Sequence, residues 1–277
     1  MKNFKLGIQL YSLRDDMAKD FEGTLKKVRE MGYEYEEFAG YFDHSAEEIK
    51  AMLDKYGLKC ISVHQTYDVF LGEDAQKHID FLKVLGVKYP AIPWMGANKH
   101  KGSELYEETL KDIAAVAAKL KENGMQLLYH NHDFEFEKYE DKYLLEWFLE
   151  DLNGAVLPEI DTCWVHYAGL NPQEYILKYK GQLPLLHLKD FECEKLAGGP
   201  VYDLIDSKGN TGKKASKEDN GFVLKPVGYG RQDMPAIIKA AEECGTELLI
   251  VEQDTFTGIE PLDAVKKSID YLKSIGL

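Results

Sequence analysis

Apolar residues return along this chain in two alternating rhythms. A stretch with a 3.6-residue period leads to a glycine, and the glycine to a short β-rich run. The unit recurs at Gly32 before Tyr33–Phe38, Gly57 before Leu58–Val63, Gly86 before Val87–Ile92 and Gly124 before Met125–Tyr129. It continues at Gly154 before Ala155–Ile160, Gly181 before Gln182–Leu188 and Gly245 before Glu247–Val251. A glycine just past a helix accepts the left-handed conformation that turns the chain back, so each marks a helix stop. An opening strand at Leu6–Tyr11 brings the count to eight strands.

The helices between these runs are legible one by one. Phe21, Leu25 and Val28 share a face, with Asp15 and Asp16 as N-cap candidates. Ser45 and Glu48 have capping-box spacing ahead of Ile49, Met52, Leu53 and Tyr56. Tyr106, Leu110, Ile113, Ala117 and Leu120 keep the helical period after Ser103. Asp233 and Pro235 open a helix bearing Ile237, Ile238 and Ala241, and Leu262, Val265, Ile269 and Leu272 close the chain. Runs such as Leu248-Leu249-Ile250-Val251 are apolar throughout, the mark of parallel strands covered on both faces. Eight strand–helix units in one chain predict a closed α/β barrel, (β/α)8, as a single domain. No GxGxxG follows the first strand, which argues against a dinucleotide-binding sheet.

One interval is long. Gly181 and Gly245 are 64 positions apart, and the excess is Glu192–Asn220, rich in Gly, Lys, Asp and Ser. An insertion there, at about 192–226, follows strand 7 and lies at the barrel mouth, as a lid or as a plain surface loop. Its lysines Lys208, Lys213, Lys214 and Lys217 read as a solvated cluster.

Composition narrows the partners. The 277 residues carry 34 Lys+Arg against 48 Asp+Glu, a net charge of −14, which disfavours nucleic acid and anionic membrane as broad partners. Cys60, Cys163, Cys193 and Cys244 are scattered without a CxxC pair, as in a cytoplasmic protein with reduced thiols. No apolar run reaches the length of a membrane helix. Homo-oligomerisation stays open.

In such a barrel, strand ends carry the chemistry. Here they read Gln9-Leu10-Tyr11, Glu36-Glu37, His64, Pro93-Trp94, His130-Asn131-His132-Asp133 with Glu135 beyond, Glu159-Ile160-Asp161, His187-Leu188-Lys189 and Glu252-Gln253-Asp254. Strand alternation points His130 with His132, Glu159 with Asp161, and His187 with Lys189. If those faces look inward, Asp161, His187, Glu252 and a strand-5 residue meet, a donor set for Mn, Mg, Co or Zn. A structural ion network of Glu159, Asp161 and Glu252 with Lys189 or Arg231 is the alternative. His78 and His100 read as surface residues. Tyr11, Trp94 and Trp164 read as barrel packing or as substrate platforms.

The runs Leu6-Gly-Ile-Gln-Leu-Tyr-Ser-Leu-Arg14, Tyr129-His-Asn-His-Asp133, Glu159-Ile-Asp-Thr-Cys-Trp164, His187-Leu-Lys-Asp190, Val227-Gly-Tyr-Gly230 and Val251-Glu-Gln-Asp254 resemble the xylose isomerase-like TIM barrel superfamily. Within it they are similar to the sugar phosphate isomerases/epimerases, over nearly the whole chain. The resemblance implies a divalent metal on Asp161, His187 and Glu252. The fourth ligand position, a glutamate in the ketose epimerases, falls on His130. Glu135 and Glu159 are the two candidates for the displaced carboxylate.

The chemistry implied is proton abstraction next to a carbonyl. Glu252 would be the base, His130 or His132 the acid or partner base, and Lys189 the group facing the enolate oxygen. Tyr11, Glu37, His64, Trp94, Glu135, Glu159, Trp164 and Arg231 would face the substrate. The leading expectation is a sugar isomerase or epimerase. The alternative is a lyase or dehydratase of keto-sugars or keto-inositols, 3-keto-glycosides included. An apurinic endonuclease and a non-catalytic sugar-binding barrel are the remaining classes.

Overall fold

A computed structural model describes residues 4–196 and 221–277. Its barrel strands are β1 (Lys5–Gln9), β2 (Tyr35–Phe38), β3 (Lys59–His64), β4 (Tyr89–Ile92), β5 (Leu128–His130), β8 (Leu157–Asp161), β9 (Leu185–Leu188) and β12 (Leu248–Val251). They close in the order β1-β12-β9-β8-β5-β4-β3-β2, with every pairing parallel. The eight-stranded (β/α)8 barrel expected from the periodicity is the fold.

All seven stop glycines have positive φ. Gly245 illustrates the mechanism: it caps α9 (Met234–Cys244) with φ 95°, and its N–H bonds the Ala241 and Glu242 carbonyls. Ser45 and Glu48 form the expected capping box on α3 (Ala46–Tyr56), and Asp233 caps α9 through the Ala236 N–H. The cap of α2 (Phe21–Met31) is Asp20, not Asp15 or Asp16. Those two lie in the first turn of a separate short helix, α1 (Arg14–Lys19), because a break at Asp20 restarts the chain.

Two apolar zones result. The larger lies between strands and helices and includes Ile8, Leu25, Val28, Ile113, Leu186 and Ile269, each fully buried. The smaller fills the lower barrel with Tyr35, Ile61, Ala91, Leu128, Leu185, Leu248 and Ile250. Gly7 is required there, since a Cβ on it would lie 2.6 Å from Ile250 Cδ1 and 3.0 Å from the Tyr35 carbonyl oxygen. Packed side chains thus seal the bottom, and polar inward residues are confined to the top.

Two hairpins decorate that upper end. β6 (Lys138–Tyr139) pairs with β7 (Lys142–Tyr143), and β10 (Asp190–Glu192) pairs antiparallel with β11 (Val223–Lys225). The second hairpin forms the base of the insertion. The rest of that segment, with Lys208, Lys213, Lys214 and Lys217, lies outside the described residues.

Candidate metal centre and substrate cavity

Strand alternation carries the inward register upward from the apolar plug. Tyr35 is followed on its face by Glu37, Leu128 by His130, Leu185 by His187 and Lys189, and Ile250 by Glu252. β3 breaks the rule. Glu36 pairs with Cys60 but Glu37 with Ser62, so the register slips by one residue. Ile61 below the slip and His64 above it therefore both face inward, which strict alternation forbids.

His187 stands at the centre, fully buried. Its Nε2 lies 2.8 Å from Glu37 Oε1 and 2.5 Å from Glu159 Oε1, and its Nδ1 donates to Glu252 Oε2 at 2.9 Å. Burial opposes charge on the ring, but Glu37, Glu159 and Glu252 outweigh it and raise its pKa well above the ordinary value. His64 Nε2 reaches the same two carboxylates, at 3.1 Å from Glu37 and 3.2 Å from Glu159. Burial pushes Glu159 up, yet His187 and His64 hold it at about 2. Gln9 Nε2 donates to Glu37 Oε1 at 2.7 Å.

Lys189 is the second hub, 1% exposed. Its ammonium lies 2.8 Å from Asp161 Oδ2, 2.8 Å from Glu252 Oε2 and 3.1 Å from Asp254 Oδ2, over the Trp164 ring at 5.1 Å. Burial would raise Glu252, but Lys189 and His187 keep it well below the carboxylate range. Asp254 rises to about 6, because burial and the neighbouring Glu252 and Asp161 charges outweigh Lys189. The ion network expected as an alternative thus exists around Lys189, without Arg231.

Asp161 is held by its backbone. Asn131 Oδ1 accepts from the Asp161 N–H at 3.0 Å, and Asn131 Nδ2 donates to its carbonyl at 3.4 Å. Asp161 Oδ1 accepts from Cys163 N at 2.9 Å, capping α7 (Thr162–Tyr167). His130 Nε2 lies 3.8 Å from Asp161 Oδ2. Burial, with His187 and His64 adding to it, keeps the His130 ring neutral, and its Nδ1 has no hydrogen bond. His132 is also held neutral, by burial and then by Lys189.

One donor atom from each of His130, Asp161, His187 and Glu252 falls within 4.8 Å of the others. Four tetrahedral ligands about 2.0–2.2 Å from one ion stand about 3.3–3.6 Å apart, so side-chain adjustments of up to about an ångström would close these donors around an ion. A neutral buried imidazole with an unbonded nitrogen is the donor such an ion needs. The residues fit a divalent metal. His64, His130, Glu159 and His187 make a second group by the same measure. There Glu159 bonds both His64 and His187, while in the first group His187 bonds Glu252 and Lys189 bonds Asp161 and Glu252, so an ion in either group would replace existing pairings.

Above these donors opens a cavity of about 360 Å³, lined by Tyr11, Trp94, His64, His130, His132, Glu252 and Asp254 among others. Several expected contacts are not in it. Glu135 turns away, accepting from the Tyr129 hydroxyl at 2.6 Å and the His132 N–H at 2.7 Å. The reason is alternation: Tyr129 points opposite to His130, and Glu135 follows it. Burial raises Glu135 to about 8. Of the two candidate carboxylates, Glu159 alone faces His187. Trp164 is 1% exposed and sits behind Lys189, as packing. Arg231 is exposed and bonds the Cys193 carbonyl at 3.0 Å, in a separate recess with His166 and Gln232.

His78 is exposed as expected, but His100 is buried. Its Nε2 donates to the Met95 carbonyl at 3.2 Å and its ring packs edge-on against Phe134. Sequence reasoning also left Gln9, Asn131 and Asp254 without roles. Their position at strand ends was the available signal.

A family model described as xylose isomerase-like TIM barrel matches residues 25–275. An inosose dehydratase of Clostridium perfringens is 26% identical over 300 aligned positions, covering 98% of this chain and 97% of the relative. Among solved structures, a sugar phosphate isomerase/epimerase from Parabacteroides distasonis superposes with TM-score 0.72 at 21% identity, over 98% of each chain. The IOLI protein with a bound zinc atom gives 0.66 at 16% identity, over 98% of this chain and 97% of its own.

Proposed function

The chain belongs to the xylose isomerase-like TIM barrel family, and from that premise we propose that it is a metal-dependent enzyme that enolises a keto-sugar or keto-inositol. The observation that carries this reading is the convergence of His130, Asp161, His187 and Glu252, of which His130 and Glu252 line a sugar-sized cavity. A divalent cation held there supplies a Lewis acid for the substrate carbonyl and its developing enolate charge.

The protein's own groups then divide the work. Glu252, ionised and at the cavity wall, takes the proton from the carbon next to the carbonyl. Lys189 helps hold Glu252 ionised and opposes the burial that raises the pKa of Asp161. His132, on the wall formed by β5, is the partner acid or base.

Of the fates open to the enolate, β-elimination is the one we favour over isomerisation. The carboxylates lining the cavity, Glu252 and Asp254, both come from the end of β12. The position across from them holds imidazoles rather than the second glutamate of a two-base epimerase. A curated relative matched along nearly its whole length is a dehydratase, which supports the same outcome. In elimination the C–H proton passes to Glu252, the β C–O bond breaks, and Glu252, now carrying that proton, returns it to the leaving oxygen as the enone forms. Isomerase or epimerase activity is the second reading, favoured by His132 as a base on the opposite wall.

The test is a metal-stripped preparation resupplied with Mn, Mg, Co or Zn and given keto-inositol, 3-keto-glucoside and ketose substrates. Enone formation with release of water or aglycone supports elimination. A new epimer with no enone supports the second reading. Activity equal with and without metal refutes both.

A further inference from the structure

A second cavity, of about 420 Å³, adjoins the first and shares Ala39, His64 and Gln65 with it. Its own walls are different in kind. Gly40, Tyr41, Phe70, His78, Phe81 and Leu82 line it, with the Tyr41 and Phe81 ring centroids 4.4 Å apart. No lysine or arginine lines either cavity among the described residues. An anionic phosphate would meet Glu252 and Asp254 in the first cavity, and in the second mostly aromatic rings, with His78 and the shared His64 as its imidazoles.

The second chamber is placed by the fold rather than left over by it. Tyr41 belongs to the turn after β2, where Phe42 (φ 49°) and Asp43 (φ 63°) both occupy the left-handed region. That turn brings the Tyr41 ring over Phe81 of α4 (Ala75–Leu85). His64, at the end of β3, is the shared wall between the apolar chamber and the candidate metal donors.

We propose that this chamber is the subsite for an aromatic substituent on the sugar, so that the substrate is an unphosphorylated aryl glycoside in its keto form. This rests on the enolising function above. The carbohydrate ring would occupy the first cavity and the aryl group would stack among Tyr41, Phe70 and Phe81.

The test uses equilibrium binding by calorimetry to the metal-loaded full chain, with 4-nitrophenyl β-glucoside and methyl β-glucoside as probes. The aryl glucoside binds at least about tenfold more tightly to the wild type. F81A removes most of that difference and leaves the methyl glucoside unchanged, and F81L gives an intermediate loss in a better-filled cavity. Equal affinities for the two probes, including no measurable binding of either, overturn the proposal. So does an F81A effect equal on both. Aryl preference without turnover of the corresponding 3-keto-glucoside would uphold the aryl subsite and refute the keto aryl glycoside as substrate, while the metal-dependence test above decides the enolising function separately.

Discussion

His100 offers a quantitative check on how burial holds an imidazole neutral. Only 7% exposed, it carries its pKa down to about 4, chiefly because burial penalises the charged ring. Its unfolded value is near 6.5. The folded pKa is depressed, so between pH 6.5 and 4 the unfolded chain binds a proton that the folded chain refuses. The stabilisation is therefore complete above pH 6.5 and lost as pH falls. A shift of about 2.5 units corresponds to about 3.4 kcal/mol in full, of which about 2.5 kcal/mol disappears between pH 7 and pH 4.5. His100→Gln keeps a donor for the Met95 carbonyl but cannot titrate. Chemical denaturation at the two pH values measures the stability difference between wild type and variant. It should move by about 2.5 kcal/mol in the variant's favour on acidification, with m-values unchanged. Parallel pH dependences would refute the burial argument and return His100 to the surface role that the sequence suggests.

Three further outcomes follow from the same geometry. Glu252→Gln lowers kcat by at least about a hundredfold while circular dichroism and the unfolding midpoint stay near wild type; substantial residual turnover would exclude Glu252 as the base. Asn131→Ala frees the Asp161 backbone, and titration calorimetry should show metal affinity falling by about 10–100-fold, with stability reduced by about 1–3 kcal/mol. An unchanged affinity would mean that Asp161 does not depend on this clamp. Glu36 points away from the barrel interior, fully buried with neither carboxylate oxygen hydrogen-bonded, and burial raises its pKa well above normal. Glu36→Met should raise stability by about 1–3 kcal/mol, with the gain increasing as pH rises past about 4.5, where only the unfolded wild type releases the proton. A destabilised variant in urea melts would show that Glu36 has a partner.

Much of the architecture was legible locally. Helix stops at Gly57 or Gly245 and caps at Ser45 or Asp233 depend on side chains within four residues, so linear spacing reveals them. Period-two alternation from apolar strand cores to their polar ends also brought Asp161, His187 and Glu252 together with a strand-5 residue, and only the family resemblance pointed to His130 for that place. What the chain alone left open depended on partners far apart in sequence. The slip between β2 and β3 turns His64 inward through pairing with Glu37 and Glu159, residues 27 and 95 positions away. Glu135 looked like a ligand by proximity to His132, and a bond to the Tyr129 hydroxyl on the outer face removes it. His100, polar and in a loop, is enclosed by Met95 and Phe134 once the strand-5 connection folds over it. Periodicity therefore determined the barrel and the face each strand presents. Which charges meet, and which of them are stripped of water, was decided by tertiary closure, because electrostatic energies depend on separation and burial in space.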